Sequence, residues 1–244
     1  MLKKNILLLA TFLFLFQACL SQNVDDIIKK CIVAHGYDKL ESLKTVTLEG
    51  TAKTLKEDLA LKMFFKAPDK IRSEMEFNKV KLIQAFNGDI GWYLPPTAMS
   101  DMVYDMPDEM ILKMKTETGF LSSPLINYKN KGSIISFIGM ENLDGKPAFK
   151  LKYLAKTGLS LIMFIDSTTY LHVKSYSETF NRGQITKVET IYGKYEKNKD
   201  ISLPKSITTL IDNKKVSELI FNKIEFNKDL PDSLFDKPKL KQSH

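Results

Sequence analysis

A chain of 244 residues, 43% of them hydrophobic, has enough apolar material for one sizeable core, and its two cysteines are too few for a disulfide framework. The formal charge of +7 comes almost wholly from lysine, which supplies 34 of the 36 basic residues and is spread along the chain. Clustered arginine with interleaved aromatics is absent, so nucleic acid is excluded as a partner; a solvated lysine-rich surface remains, with at most a weak attraction to anionic membranes.

The N-terminus has the layout of an export signal over residues 1–21. Lys3 and Lys4 precede an apolar run from Ile6 to Phe16, too short to span a bilayer but suited to an h-region. Two cleavage readings compete. Ala18-Cys19 can end a lipobox, which makes Cys19 a lipidated N-terminus; alternatively, a signal peptidase cuts after Ser21. Removing two lysines and no acids lowers the net charge from +7 to +5. Cys31 is then without a disulfide partner. It shares an apolar helical stripe with Val24, Ile27 and Ile28, where a buried free thiol is expected.

Asn23 is a good N-cap, with Asp25 and Asp26 in the first turn, and the helix runs to about Ala34 before His35 and Gly36 close it. Asp38 and Glu41 predict a second short helix with Leu40 and Leu43 inward. From Thr45 the period becomes two. Leu59, Leu61, Met63 and Phe65 share one face of a strand; so do Ile71, Met75 and Phe77. Val80, Leu82 and Phe86 lead to a turn at Asn87-Gly88-Asp89, and Trp92 follows it.

Helical signals return only between about residues 101 and 131. Asp105 is placed to cap a helix with Pro107, Asp108 and Glu109 in its early turn. Five of the ten methionines, Met99, Met102, Met106, Met110 and Met114, fall here at steps of three, four, four and four. Pro107 forbids one unbroken helix through all five. The expectation is a less regular stretch carrying Met99, Met102 and Met106, then a helix carrying Met110, Ile111 and Met114. Seven more strand-like segments follow, from "SIISFIGM" to "KVSELIFNKIEF", and the polar tail 239–244 ends the chain.

The pattern predicts one mostly antiparallel sheet of about ten or eleven strands with short covering helices, in a single domain over residues 22–238. So little helix cannot pack tightly over so many strands. The sheet either closes on itself or curls into a half-open, incomplete barrel with a helical lid over an apolar cavity. The methionines, flexible and polarizable, suit the underside of such a lid, although Met at helical spacing is also ordinary core filling. Trp92 reads either as a core anchor or as a cavity contact.

No catalytic or metal constellation is visible. His35 sits at a helix end, His172 in a strand and His244 at the last position, none with a partner at ligand spacing. Acid pairs such as Asp25-Asp26 and Asp108-Glu109 lie at helix starts, where the dipole accounts for them. No enzyme activity, metal or cofactor is expected.

Four segments together resemble a known family. "IVAHGYDKLESLKTVTLEG" looks like the opening of the LolA/LolB-like superfamily of bacterial outer-membrane lipoprotein-sorting carriers. "FNGDIGWYL" resembles its F-D-G-x-x-x-W hairpin, "YGKYEKNKDISLPKSI" its late strand pair, and "LPDSLFDKP" its closing segment. The likeness spans about residues 24–238, and its motifs are loose and structural. It implies an incomplete barrel whose apolar cavity holds acyl chains of lipoproteins. It also implies transient contact with membranes or their lipoprotein machinery, and a monomer in the periplasm or at the outer membrane. Tyr37 stands where the family has a second glycine, and Asp200-Ile201-Ser202-Leu203-Pro204 replaces G-I-x-L-P. The arginine that closes the lid in family carriers has no counterpart: Arg72 and Arg182 are the only arginines, and neither is assigned that role. Set beside a carrier are a structural or surface lipoprotein with a self-filled core and, last, an envelope enzyme with a scattered site.

Overall fold

The computed structural model describes residues 23–40, 42–96, 102–108, 110–111, 123–156, 158–181 and 184–239. The signal segment with Cys19, together with Met99, Met114, Arg182 and His244, lies outside them, as does all but the first residue of the polar tail. Helix α1 spans Val24–His35, capped by Asn23, whose side chain accepts the Asp25 N–H. Gly36 ends it at φ +65°, and a Cβ there would lie 2.1 Å from the Asp200 carbonyl oxygen. Only glycine meets both demands. Helix α2, Tyr37–Leu40, follows at once. Asp38 is therefore inside its first turn and not its cap; the Gly36 carbonyl receives the N–H groups of Lys39 and Leu40.

Among the described residues there are thirteen strands: β1 Thr45–Thr54, β2 Asp58–Lys66, β3 Lys70–Phe77, β4 Val80–Phe86, β5 Gly91–Leu94, β6 Tyr104–Asp105, β7 Ile134–Leu143, β8 Lys146–Leu154, β9 Ser160–Asp166, β10 His172–Asn181, β11 Gln184–Asn198, β12 Ile201–Ile211 and β13 Lys214–Phe226. The number exceeds the expected ten or eleven partly because β6 is two residues long, too short to show a period. All pair antiparallel in one sheet, ordered β6-β5-β4-β3-β2-β1-β13-β12-β11-β10-β9-β8-β7. The chain thus enters mid-sheet, walks out to β6, crosses to the opposite edge, and walks back until β13 lies beside β1.

The sheet is open between β6 and β7, and it curls: α1 touches both β12 and β7, which stand far apart in the strand order. This is the expected incomplete barrel with short covering helices. The cross-strand pairs Val46↔Phe65, Phe65↔Ile71 and Ile71↔Phe86 carry one apolar row across β1–β4 on the inner face. With Leu48, Leu61, Leu203 and Phe221 they form a first core. A second core joins Ile27, Ile28 and Cys31 of α1 to Ile135, Phe149, Leu151, Met163 and Ile165. Cys31 is fully buried and unpaired, and burial pushes its thiol up to about 12. At the β1–β13 seam a bulge falls at Glu49/Gly50, where a Cβ on Gly50 would come 1.8 Å from the Ile220 carbonyl oxygen.

The described parts of the crossover from β6 to β7, residues 106–108, 110–111 and 123–133, pack on the inner face. Its first part packs on the first core through Met106, Met110 and Ile111; its last part packs on the second through Leu125 and Tyr128. The Tyr128 hydroxyl and the Lys129 ammonium both donate to Asp25 at 2.7 Å, which ties this stretch to the start of α1. Asp105 is a strand residue; the Pro107 carbonyl accepts the Ile111 N–H at 3.0 Å, and Asp108, Met110 and Ile111 are helical, as expected of the segment that carries Met110 and Ile111. Residues 124–132 are turns.

Candidate ligand cavity

A cavity of about 230 Å³ lies where the two cores meet. Leu40, Leu203 and Ile207 contribute from the first core, Leu125, Leu161 and Met163 from the second, and Tyr37 from α2 packs against both. Its size falls just below the ~300–1,000 Å³ of typical small-molecule sites, room for part of a flexible chain. Alternation puts these side chains inward: Leu161 and Met163 point the same way along β9, and Met163 stands opposite Ser175, another wall residue.

One side of the wall is polar. His35, only 2% exposed, accepts the His172 backbone N–H on Nε2 at 2.9 Å; its Nδ1 lies 3.4 Å from the Ser202 carbonyl. The first bond requires a lone pair on Nε2, so this imidazole is neutral with its proton on Nδ1. His172 donates from Nε2 to the Lys174 carbonyl at 2.9 Å, and Tyr195 donates to the His172 carbonyl at 2.6 Å. Aromatic contacts surround them. The His35 ring stacks on Tyr37 with centroids 4.4 Å apart, meets Tyr195 edge-on at 5.2 Å, and His172 lies 4.6 Å from Tyr192. Burial depresses both imidazoles, His35 to about 4 and His172 to about 3, the latter also through its neighbour His35. Burial likewise raises the phenols of Tyr37, Tyr192 and Tyr195.

The methionines divide. Met106 is 5% exposed and faces inward; its Sδ would be 2.8 Å from a Cβ on Gly91, so the missing side chain of Gly91 is what admits it. Met110 and Ile111 are partly buried beside it on the first core. Met102 is 53% exposed, which corrects its assignment to the lining. The two-residue strand β6 separates it from Met106, so the spacing of four does not bring them to one side.

Trp92 also departs from the expected cavity position. Its neighbour Tyr93 continues the inner row, because Phe86↔Gly91 and Gln84↔Tyr93 pair on that face. Trp92, opposite Ala85, is on the outer face. There it is 1% exposed beneath the C-terminal segment, donating from Nε1 to the Phe235 carbonyl at 2.9 Å. Arg72 lies over its ring, 5.3 Å from the centroid, and donates to the Leu234 carbonyl. Lys66 binds the Leu230 carbonyl, and both Lys66 and Lys70 reach Asp232. Residues 230–237 therefore strap the outer face of β2–β5, and Trp92 is the anchor of that strap.

The cavity histidines were assigned by sequence reasoning only to local roles. The usable signal was in the motifs: His35 and Tyr37 belong to "IVAHGYD", and Tyr192, Tyr195 and Ser202 to "YGKYEKNKDISLP". These two segments meet at the cavity. Among the described residues no group of three or more His, Cys, Asp or Glu converges as metal ligands would, and no helix is long and apolar enough to cross a membrane.

No family model and no curated protein matches the sequence. Solved structures do match in fold. A DUF1329 family protein from Desulfovibrio piger superposes with a TM-score of 0.56 at 14% identity, over 85% of this chain and 96% of its own. A putative outer membrane lipoprotein-sorting protein domain from Vibrio parahaemolyticus gives 0.55 at 13% identity, over 86% and 97%. A LolA superfamily protein from Nitrosomonas europaea gives 0.52 at 14% identity, over 84% and 98%. At such identities the likeness is one of architecture: this open, helix-covered sheet shares its fold with these three proteins, one of them a LolA superfamily protein.

Proposed function

We propose that this protein is an exported, non-enzymatic binder of acyl chains, presented by lipoproteins or by other lipids, that works in the periplasm or at the outer membrane. The observation that carries the reading is the apolar cavity set between the two cores of an open sheet. Each methylene buried there contributes ~0.8 kcal/mol, so even part of one chain supplies useful affinity. Met106, Met110 and Ile111 pack on the first core, whose Leu40 and Leu203 line the cavity, and are assigned here to an adaptable cover over it, with Met99 and Met114 as further candidates, since methionine conforms to chains of varying shape. The fold shared with a lipoprotein-sorting domain supports the reading. The signal-like N-terminus supports export, with Cys19 as the candidate anchor. The protein acts as a monomer and meets membranes or their lipoprotein machinery transiently.

Mass spectrometry of lipids that co-purify with the mature protein tests this. Stoichiometric acyl lipid is the expected result. A lipid-free protein that also fails to bind a fluorescent acyl probe would instead mark a structural lipoprotein whose cavity is filled by its own side chains.

A further inference from the structure

In a chain where charged residues make up 27%, no described residue lining the cavity is a lysine, arginine, aspartate or glutamate. Several of its hydrogen-bond donors are also engaged elsewhere. The His35 Nδ1–H is directed at the Ser202 carbonyl and the His172 Nε2–H at that of Lys174. The Tyr195 hydroxyl is spent on the His172 carbonyl and the Ser202 hydroxyl on that of Ala34. Tyr37 interacts with Ser123 and Tyr192 with Ser175, and each pair uses one of its two hydroxyl hydrogens on the other. What the wall still offers is mainly lone pairs, those of the hydroxyls and of the neutral His172 ring at Nδ1.

We propose that the cavity selects uncharged acyl groups, such as esters, amides and alcohols, and discriminates against ionised fatty acids. An ionised carboxylate is an acceptor only. Brought to this wall it would give up its water for no cation and for at most the neutral hydroxyl hydrogen that each Tyr–Ser pair leaves over, and a buried charge without a counter-charge is heavily disfavoured. An ester or amide adds no net charge, and a glyceride hydroxyl or an amide N–H can donate to the lone pairs that remain. Neutral imidazoles at pH 7 fit the same selection, since neither supplies a positive counter-charge. The inference rests on the acyl-binding reading above and adds the class of head group.

The test compares laurate with monolaurin, each below its micelle concentration, in displacing a neutral fluorescent acyl dye from the mature protein at pH 8. Monolaurin is expected to displace the dye at a concentration lower by about tenfold or more. Equal or tighter binding of laurate overturns the proposal. Failure of the dye itself to bind removes the acyl reading and this inference with it, a result distinct from a dye that binds but is displaced equally by both. Ser175→Lys supplies the missing cation. In a variant whose circular dichroism matches the parent, the monolaurin preference should narrow several-fold, and an unchanged preference shows that the absent charge is not its cause.

Discussion

The Nε2 of His35, at the C-terminus of α1, accepts the backbone N–H of His172 at the start of β10, with 2.9 Å between residues 137 positions apart in the chain. The bond closes the polar wall of the cavity and holds the His35 imidazole neutral, so helix, strand and cavity share one proton-sensitive contact.

Acid should therefore loosen the fold before the carboxylates titrate. Both histidines are depressed from the ordinary 6.5, to about 4 and about 3. Between these values the unfolded chain binds more protons than the folded one. Their contribution is complete above pH ~6.5 and is lost as pH falls toward the folded values, at up to ~1.4 kcal/mol per pH unit for each group. Urea unfolding at pH 7 and pH 5 reads this directly, and a flat stability over that interval would sink the idea. His35→Phe should flatten the slope while lowering stability at pH 7 by ~1–3 kcal/mol, because the His172 N–H is left unpaired.

Met106 and Met102 should behave oppositely. Met106→Ala opens a cavity under the crossover and should cost ~2–5 kcal/mol. Met102→Ala, at an exposed position, should stay within about 0.5 kcal/mol of the parent. Met110→Ala is expected to lose less stability than Met106→Ala and to weaken binding of an acyl probe more. Equal effects on affinity from Met102 and Met110 would remove Met110 from the lining.

Gly91 and Met106 should be energetically coupled. Gly91→Ala forces the Met106 sulfur to give way, at a cost of ~1–3 kcal/mol. In the Gly91→Ala, Met106→Ala double variant the new methyl enters space already vacated, so the two losses should sum to more than the measured total by at least ~0.5 kcal/mol. Strict additivity in thermal unfolding would contradict the contact.

Trp92→Phe should destabilise without touching ligand affinity. It removes the bond to the Phe235 carbonyl and leaves that buried acceptor unpaired, a loss of ~1–3 kcal/mol. Loosening should appear as faster proteolysis within residues 230–237. A drop in affinity for an acyl probe, with the strap still protected, would put Trp92 back at the cavity.

At the N-terminus, labelled fatty acid should enter the protein and Cys19→Ala should abolish the incorporation. An unmodified mature chain beginning at Gln22 would settle the matter for simple secretion.

The strands were legible because period two leaves a plain mark: Leu59, Leu61, Met63 and Phe65 fall on one face in sequence and in space. Trp92 was not legible for a definite reason. Along "IGWYL" the face is set by the pairing of Phe86 with Gly91, and glycine shows no side chain from which to read it. A shift of one residue exchanges Trp92 and Tyr93 between faces. What covers Trp92 is contributed by Phe235, far along the chain. The methionine spacing misled in the same manner, since an interval of four implies a common side only in a continuous helix and β6 interrupts it. The cavity's polar wall needed the fold itself, because α1, β10, β11 and β12 bring its members together.

The seam between β1 and β13 has a kinetic meaning. Within the described sheet, every other strand pair joins neighbours in sequence, the kind of local contact that forms quickly. Val46 with Phe226 and Ala52 with Leu219 must instead find each other across almost the whole chain. Folding then reduces to two meanders, each able to collapse locally, and one late zippering step that commits them to a common register. Gly50 acts as the proofreader of that step. A slip of one residue would bring the Cβ of Glu49 or Thr51 to the place where the Ile220 carbonyl oxygen leaves no room for one, so a misregistered seam carries a collision that the native one avoids.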